Sequence, residues 1–82
     1  MRVKVQLFAR LRELAGGADW TCEVPAGATV ADVWRAIAAD HPALTPFERS
    51  VSCARNAEFA KRTAAVADGD EVAFLPPVSG GA

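Results

Sequence analysis

The sequence predicts an α+β domain in which a mixed β-sheet packs on one main helix. Short segments of alternating apolar and polar residues, typical of half-buried strands, lie on both sides of one longer segment with helical spacing. The order strand, strand, helix, strand, short strand, strand does not repeat the strand–helix–strand unit of doubly wound parallel sheets. Eighty-two residues are enough for one such domain.

The first part of the chain predicts two strands joined by a short helix. Residues 2–8 alternate, with Val3, Val5 and Leu7 on the apolar face, so Phe8 falls on the opposite, polar face. Residues 9–15 keep helical spacing, and the following Gly-Gly pair ends that helix. Residues 20–24 alternate again and predict a second strand that can pair antiparallel with the first.

The main helix is predicted to begin after Thr29. Asp32 stands three residues later, a variant of the capping box in which a side chain at each position bonds the backbone of the other. The inward face is formed by Val30, Val33, Trp34, Ile37 and Ala38. Because Pro42 disfavours helical backbone at His41, the helix should end close to Asp40, with His41 as a solvated cap rather than a base or a metal ligand.

The second half predicts the remaining strands. Residues 43–50 are interpreted as a loop or a single turn, and residues 51–55 as a third strand that stops at a turn-forming asparagine. Residues 58–60 can pair as a short edge strand. The Asp-Gly-Asp turn at 68–70 leads into the last strand, residues 71–75.

One face of this sheet should pack on the main helix, while the other exposes apolar side chains. Phe8 and Leu75 are expected on the open face. Phe59 is either a core residue beneath its loop or part of the same exposed patch, and the sequence leaves both possibilities open. An open apolar face of this kind is expected to dock a protein partner.

Composition and charge exclude several function classes. The chain is 51% hydrophobic and 23% charged with a net charge of -1, which gives no field to attract nucleic acid or an anionic membrane. No apolar run approaches the roughly 20 residues that span a bilayer, and the first residues lead into a strand rather than an export signal. We therefore expect a cytoplasmic protein with no nucleic-acid or membrane partner.

Candidate catalytic and metal-binding groups are sparse. Cys22 and Cys53 form no CxxC pair and cannot supply the four ligands of a zinc or iron–sulfur site, so buried free thiols are expected, with a disulfide still possible. The single histidine has no partner motif for nucleophilic catalysis or for a phosphate loop. No metal site and no catalytic centre of its own are predicted for this chain.

The C-terminal segment is predicted to be a tail outside the folded domain. Two prolines at 76 and 77 cannot extend the sheet, which divides the chain into a domain of residues 1–75 and a flexible Gly-Gly tail of residues 76–82. Glycines fit channels too narrow for side chains, and the extended tail reaches about 20 Å. From composition alone, such a tail either presents its own terminal carboxylate or is a frayed linker.

Two segments of the sequence resemble a known family. Residues 7–16 (LFARLRELAG) and residues 68–81 (DGDEVAFLPPVSGG) are similar to the small subunit of molybdopterin synthase, a ubiquitin-like sulfur carrier. The resemblance spans nearly the whole chain and is most specific in the second segment. It implies a β-grasp fold, an adenylating partner enzyme that uses ATP and magnesium, and a sulfur donor; the chain itself binds no cofactor.

The resemblance also implies roles for individual residues. Gly81, preceded by Gly80, would be adenylated and converted to a thiocarboxylate, and the tail would then enter the large subunit and give sulfur to a pterin precursor. The partner-binding residues implied are Phe8, Arg12, Phe59, Leu75, Pro76, Pro77 and Val78. Arg12 would add a polar contact at the rim, and the catalytic side chains would belong to the partners.

Ala82 departs from the family pattern, which ends at Gly-Gly. Adenylation at Gly81 requires that Ala82 be absent from the mature chain. Ala82 is either trimmed by a peptidase or is a cloning remnant; the further alternative is a divergent member of the family that no longer carries sulfur. Two other functions share the fold and tail. One is a carrier for thiazole, cysteine or tRNA thiolation, and the other is a ubiquitin-like modifier joined to lysine through Gly81.

Overall fold

A computed structural model describes residues 1–77 of the chain; the expectations for Val78, Gly80, Gly81 and Ala82 lie outside the described residues. The strands are β1 (Arg2–Leu7), β2 (Asp19–Glu23), β3 (Ser52–Arg55), β4 (Glu58–Phe59) and β5 (Glu71–Leu75). The α-helices are α1 (Ala9–Ala15) and α2 (Val30–Asp40), and a 3-10 helix spans Pro42–Phe47. The predicted element order is confirmed, and the segment expected as a loop or single turn forms the 3-10 helix.

The strands form one mixed sheet in the order β2-β1-β5-β3-β4. The predicted antiparallel pairing of β1 with β2 is confirmed. Strand β5 lies in the centre, parallel to β1 and antiparallel to β3, and β4 pairs only with β3 at the edge. The first and last strands of the domain are therefore direct neighbours.

Helix α2 covers one face of the sheet and begins with the predicted capping box. The Thr29 backbone N–H donates to Asp32 Oδ2 at 2.8 Å, and the Asp32 N–H donates to Thr29 Oγ1 at 3.4 Å. These bonds satisfy N–H groups that have no partner within the helix. The buried side chains of the helix are Val30, Val33, Trp34 and Ile37.

The core forms where α2 meets the inward side chains of the three central strands. Val5, Val72 and Phe74 are at most 1% exposed, and the Trp34 ring lies edge-on to Phe74 with 5.0 Å between ring centroids. Leu44 of the 3-10 helix closes the core at one end and is fully buried. Within residues 1–77, the main helix covers only one face of the sheet, and the other face carries the exposed rings of Phe8 and Phe59.

The two cysteines and the single histidine are part of the packed structure of the domain. Cys22 and Cys53 are buried free thiols, as predicted, and burial raises the pKa of each. His41 caps the C-terminus of α2, but it is half-buried rather than solvated because its ring packs on Trp20 with 4.4 Å between centroids. Within residues 1–77, no helix is long and apolar enough to cross a membrane.

Candidate functional site

The open face of the sheet contains an apolar groove of about 310 Å³ above β5 and β3. The strand register explains its composition, because residues opposite one another in paired strands share a face. Gln6 pairs with Ala73, Ser52 with Leu75, and Ala54 with both Ala73 and Phe59. The residues that line the groove are Gln6, Phe8, Ala54, Ala57, Phe59, Glu71, Ala73 and Leu75.

Phe8 forms one wall of the groove at the junction between β1 and α1. Its side chain is 43% exposed. Its backbone is fixed, since its N–H donates to the Phe74 carbonyl at 3.3 Å and its carbonyl accepts the Leu11 N–H at 3.1 Å. The next residue, Ala9, has φ of 51°, which turns the chain sharply into the helix. The predicted exposure of Phe8 is confirmed, and the ring has a fixed base.

Phe59 forms the opposite wall and is 84% exposed, so of the two possibilities for this residue the exposed patch is the correct one. It lies on the two-residue strand β4, directly after a tight turn at Asn56 and Ala57. Both turn residues have positive φ, 51° and 71°, as a type I′ hairpin turn requires. A large aromatic ring so exposed on a small domain suits contact with another protein.

The turn that carries Phe59 is tied to the start of β5 by three hydrogen bonds. The Asn56 N–H donates to the Glu71 carbonyl at 2.7 Å, and the Glu71 N–H donates to Asn56 Oδ1 at 3.0 Å. Asn56 Nδ2 also donates to Asp70 Oδ1 at 3.1 Å. Bonds from the Ala67 N–H and from Asn56 hold the pKa of Asp70 below its usual value. The hairpin is thus held in place relative to the central strand.

Leu75 forms part of the groove floor at the end of β5. It was expected to be exposed, but it is half-buried, because its strand is central and Ser52 lies directly opposite on β3. Pro76 is half-buried and Pro77 is exposed, and neither continues the strand. Strand β5 therefore ends at a residue that lines the groove.

Arg12 is not brought into the groove. It lies on the exposed side of α1, one helical turn after Phe8, and its backbone carbonyl accepts the N–H groups of Gly16 and Gly17. Among the described residues no group of three His, Cys, Asp or Glu side chains is arranged to hold a metal ion. The apolar lining of the groove is typical of a protein-docking surface.

Three alanines of the groove were not predicted from the sequence. Ala54 and Ala73 follow from the period-2 alternation of β3 and β5 once the pairing register is known. Ala57 has no sequence signal, because alanine is not a residue typical of its turn position. A second depression, of about 520 Å³ over β1 and β2, has a lining that is about half polar and includes the charged residues Lys4, Asp19 and Glu71, so it is less suited to apolar docking than the groove.

Comparison with known proteins connects this geometry to one group of small proteins. The profile of the ThiS family matches residues 5–81. The molybdopterin synthase sulfur carrier subunit of Chlamydomonas reinhardtii is 42% identical, over 99% of this chain and 100% of the relative. Small archaeal modifier protein 1 of Haloferax volcanii is 39% identical, over 93% of this chain and 97% of the relative.

Solved structures agree with these relatives. The crystal structure of SAMP1 from Haloferax volcanii superposes with a TM-score of 0.86 at 37% identity, covering 98% of this chain and 99% of that one. The putative molybdopterin converting factor subunit 1 from Pyrococcus furiosus gives 0.84 at 32%, covering 95% and 99%. CysO in the Amycolatopsis orientalis BexX/CysO complex gives 0.72 at 27%, covering 95% and 98%. Structures similar to this chain thus include one solved with a bound partner protein.

Proposed function

The chain belongs to the ThiS family and has the β-grasp, ubiquitin-like fold, and from this premise we propose that it is the sulfur carrier subunit of molybdopterin synthase. In this role it delivers sulfur as a thiocarboxylate at Gly81 to a pterin precursor during molybdenum cofactor synthesis. The observation that supports the proposal most directly is the end of β5 at the apolar groove. Leu75, the last residue of β5, lines the groove, and the two prolines that follow do not continue the strand.

Activation of the terminus belongs to a partner enzyme. The Gly81 carboxylate attacks the α-phosphate of ATP, with magnesium held by the partner, and pyrophosphate leaves. Hydrosulfide supplied by the donor then attacks the acyl carbon, AMP leaves with the bond to the acyl oxygen broken, and loss of the sulfur-bound proton gives the thiocarboxylate. Adenylation supplies the leaving group that a free carboxylate lacks, and glycine keeps the attacked carbon unhindered.

Thiols of the chain itself are poor candidates for this chemistry. Cys22 and Cys53 are at most 7% exposed, and burial raises the pKa of both, which disfavours the nucleophilic thiolate. The carrier therefore contributes its terminus and its docking surface, while the reacting side chains belong to the activating enzyme and to the large subunit. The chain is a subunit of a sulfurtransferase without catalytic side chains of its own.

The groove is the surface that binds the large subunit. Phe8 and Phe59 insert apolar rings into the partner, and Leu75 lies between them on the floor. Pro76 and Pro77 have fixed φ angles and lack N–H groups, which favours an extended tail that Val78 continues. Arg12, at the rim, pairs with polar or acidic groups around the apolar contact.

The test is a sulfur-loading assay on a chain that ends at Gly81. Incubation with the adenylating enzyme, ATP, magnesium and a sulfur donor should replace one oxygen of the chain by sulfur, measured by intact mass. Deletion of Gly81 and Ala82 should abolish loading and leave the melting temperature unchanged, because the core residues of the described part of the chain lie between Val3 and Phe74. A chain that ends at Gly81 but gains no sulfur, or a loss of melting temperature on deletion, contradicts the proposal.

A protein modifier is the second candidate function, favoured by the 39% identity to small archaeal modifier protein 1. In that case Gly81 ends in an isopeptide bond with a lysine of another protein. Digestion of cell extract followed by mass spectrometry distinguishes the two: lysines linked to the Gly81 remnant support a modifier. Sulfur at the free terminus together with product formed by the large subunit supports a carrier.

A further inference from the structure

Among residues 1–77, positive φ angles fall into two groups. Three glycines, at positions 16, 27 and 69, have φ of 84–86° and do not line the groove. The other three residues with positive φ bear side chains, namely Ala9, Asn56 and Ala57, and all three lie beside or in the groove. Left-handed backbone is unfavourable for alanine, whereas asparagine adopts it readily, so the strain is at Ala9 and Ala57. The chain therefore accepts conformational strain beside the groove and uses glycine at its other left-handed turns.

Ala57 is the position at which this strain is hardest to explain by folding alone. Type I′ turns are most stable as Asn-Gly, and Asn56 already occupies the first turn position. The second position has φ of 71°, which glycine adopts freely and alanine does not. The residue is exposed, so its methyl group contributes no core packing that would compensate. Ala57 does line the groove, as Phe59 does.

We infer that Ala57 is a positioning residue for partner docking, whose methyl group forms part of the contact with the large subunit. The methyl group has a defined place because the turn is tied to β5 through Asn56. It extends the apolar wall formed by Phe59 and restricts the backbone that carries this ring. The inference rests on the proposed function, because the contact it describes is made with the large subunit.

Ala57→Gly separates the two effects of the methyl group, which are strain in the turn and contact with the large subunit. Removal of strain should raise the melting temperature by roughly 4–8 °C, the shift expected for a domain of this size when one unfavourable backbone position is relieved. Loss of the methyl group should weaken binding to the large subunit about fourfold, which corresponds to about 0.8 kcal/mol for one buried carbon. A merely structural residue would not move stability and affinity in opposite directions.

Two matched variants complete the experiment, in which affinity is measured by calorimetry with the purified large subunit. Ala9→Gly relieves the same kind of strain at φ of 51°, but Ala9 does not line the groove, so the melting temperature should rise while affinity falls less than for Ala57→Gly. Ala57→Ser keeps the β-carbon and should bind within about twofold of the native chain, with no rise in melting temperature.

The outcomes are distinct from those that test the proposed function. If Ala57→Gly binds as tightly as the native chain while Phe59→Ala binds more weakly, the groove docks the partner and the role of Ala57 is refuted. If neither variant changes the affinity, the groove is not the docking surface, and the proposed function loses its main support as well. A fall in melting temperature for Ala57→Gly refutes the strain on which the inference depends.

Discussion

Replacement of Phe59 by alanine should separate partner binding from folding more clearly than any other single change. The side chain is 84% exposed in the isolated domain, so folding buries only about one sixth of its surface. Full burial of phenylalanine is worth about 1.5–3 kcal/mol, which assigns about 0.2–0.5 kcal/mol to folding and about 1.3–2.5 kcal/mol to a partner that covers the ring. The expected result is a melting temperature lower by about 1–4 °C and an affinity weaker by roughly 10- to 70-fold.

The assay pairs thermal unfolding of the free chain with calorimetric titration against the large subunit. Phe47→Ala is the matched control, because Phe47 is half-buried against the core beneath α2 and lies outside the groove. This control should lower the melting temperature by roughly 5 °C or more and leave the affinity unchanged. Native affinity for Phe59→Ala, or a larger thermal shift than for Phe47→Ala, would show that the ring is not an interface residue.

Two further predictions concern the groove floor and the turn before β5. Leu75→Asp should weaken large-subunit binding by at least about 30-fold, since a charge would replace a central apolar contact; near-native affinity would remove Leu75 from the interface. Asp70 has a folded pKa below its usual value of 3.8, so it stabilises the fold above that pH and loses this effect as pH falls through the folded pKa. The melting temperature should therefore decline as the pH falls below 3.8, and Asp70→Asn should make that decline shallower; an identical pH profile would contradict the role of Asp70.

Local features of the fold could be predicted from sequence because their signals are local. The capping pair Thr29 and Asp32 is separated by three residues, and both its bonds are present at the start of α2. The alternation of residues 2–8 likewise placed Phe8 on the open face, where it lines the groove. In both cases the backbone geometry relates residues that are close in the chain.

Features that depend on strand pairing could not be predicted in the same way. The sequence left open whether Phe59 is buried, because its face is set by pairing of β4 with β3, where Ala54 lies opposite. Leu75 was expected to be exposed and is half-buried, since pairing places it opposite Ser52 inside the sheet. Ala57 was missed because its left-handed backbone is imposed by the hairpin rather than signalled by the residue itself.

The central position of β5 has a consequence for the order of events during synthesis. The strands on either side of it, β1 and β3, are synthesised earlier but do not pair with each other. They are joined into one sheet only by pairing with β5, which requires that residues 71–75 have left the ribosome. A nascent or prematurely terminated chain would therefore lack the completed sheet and the groove together.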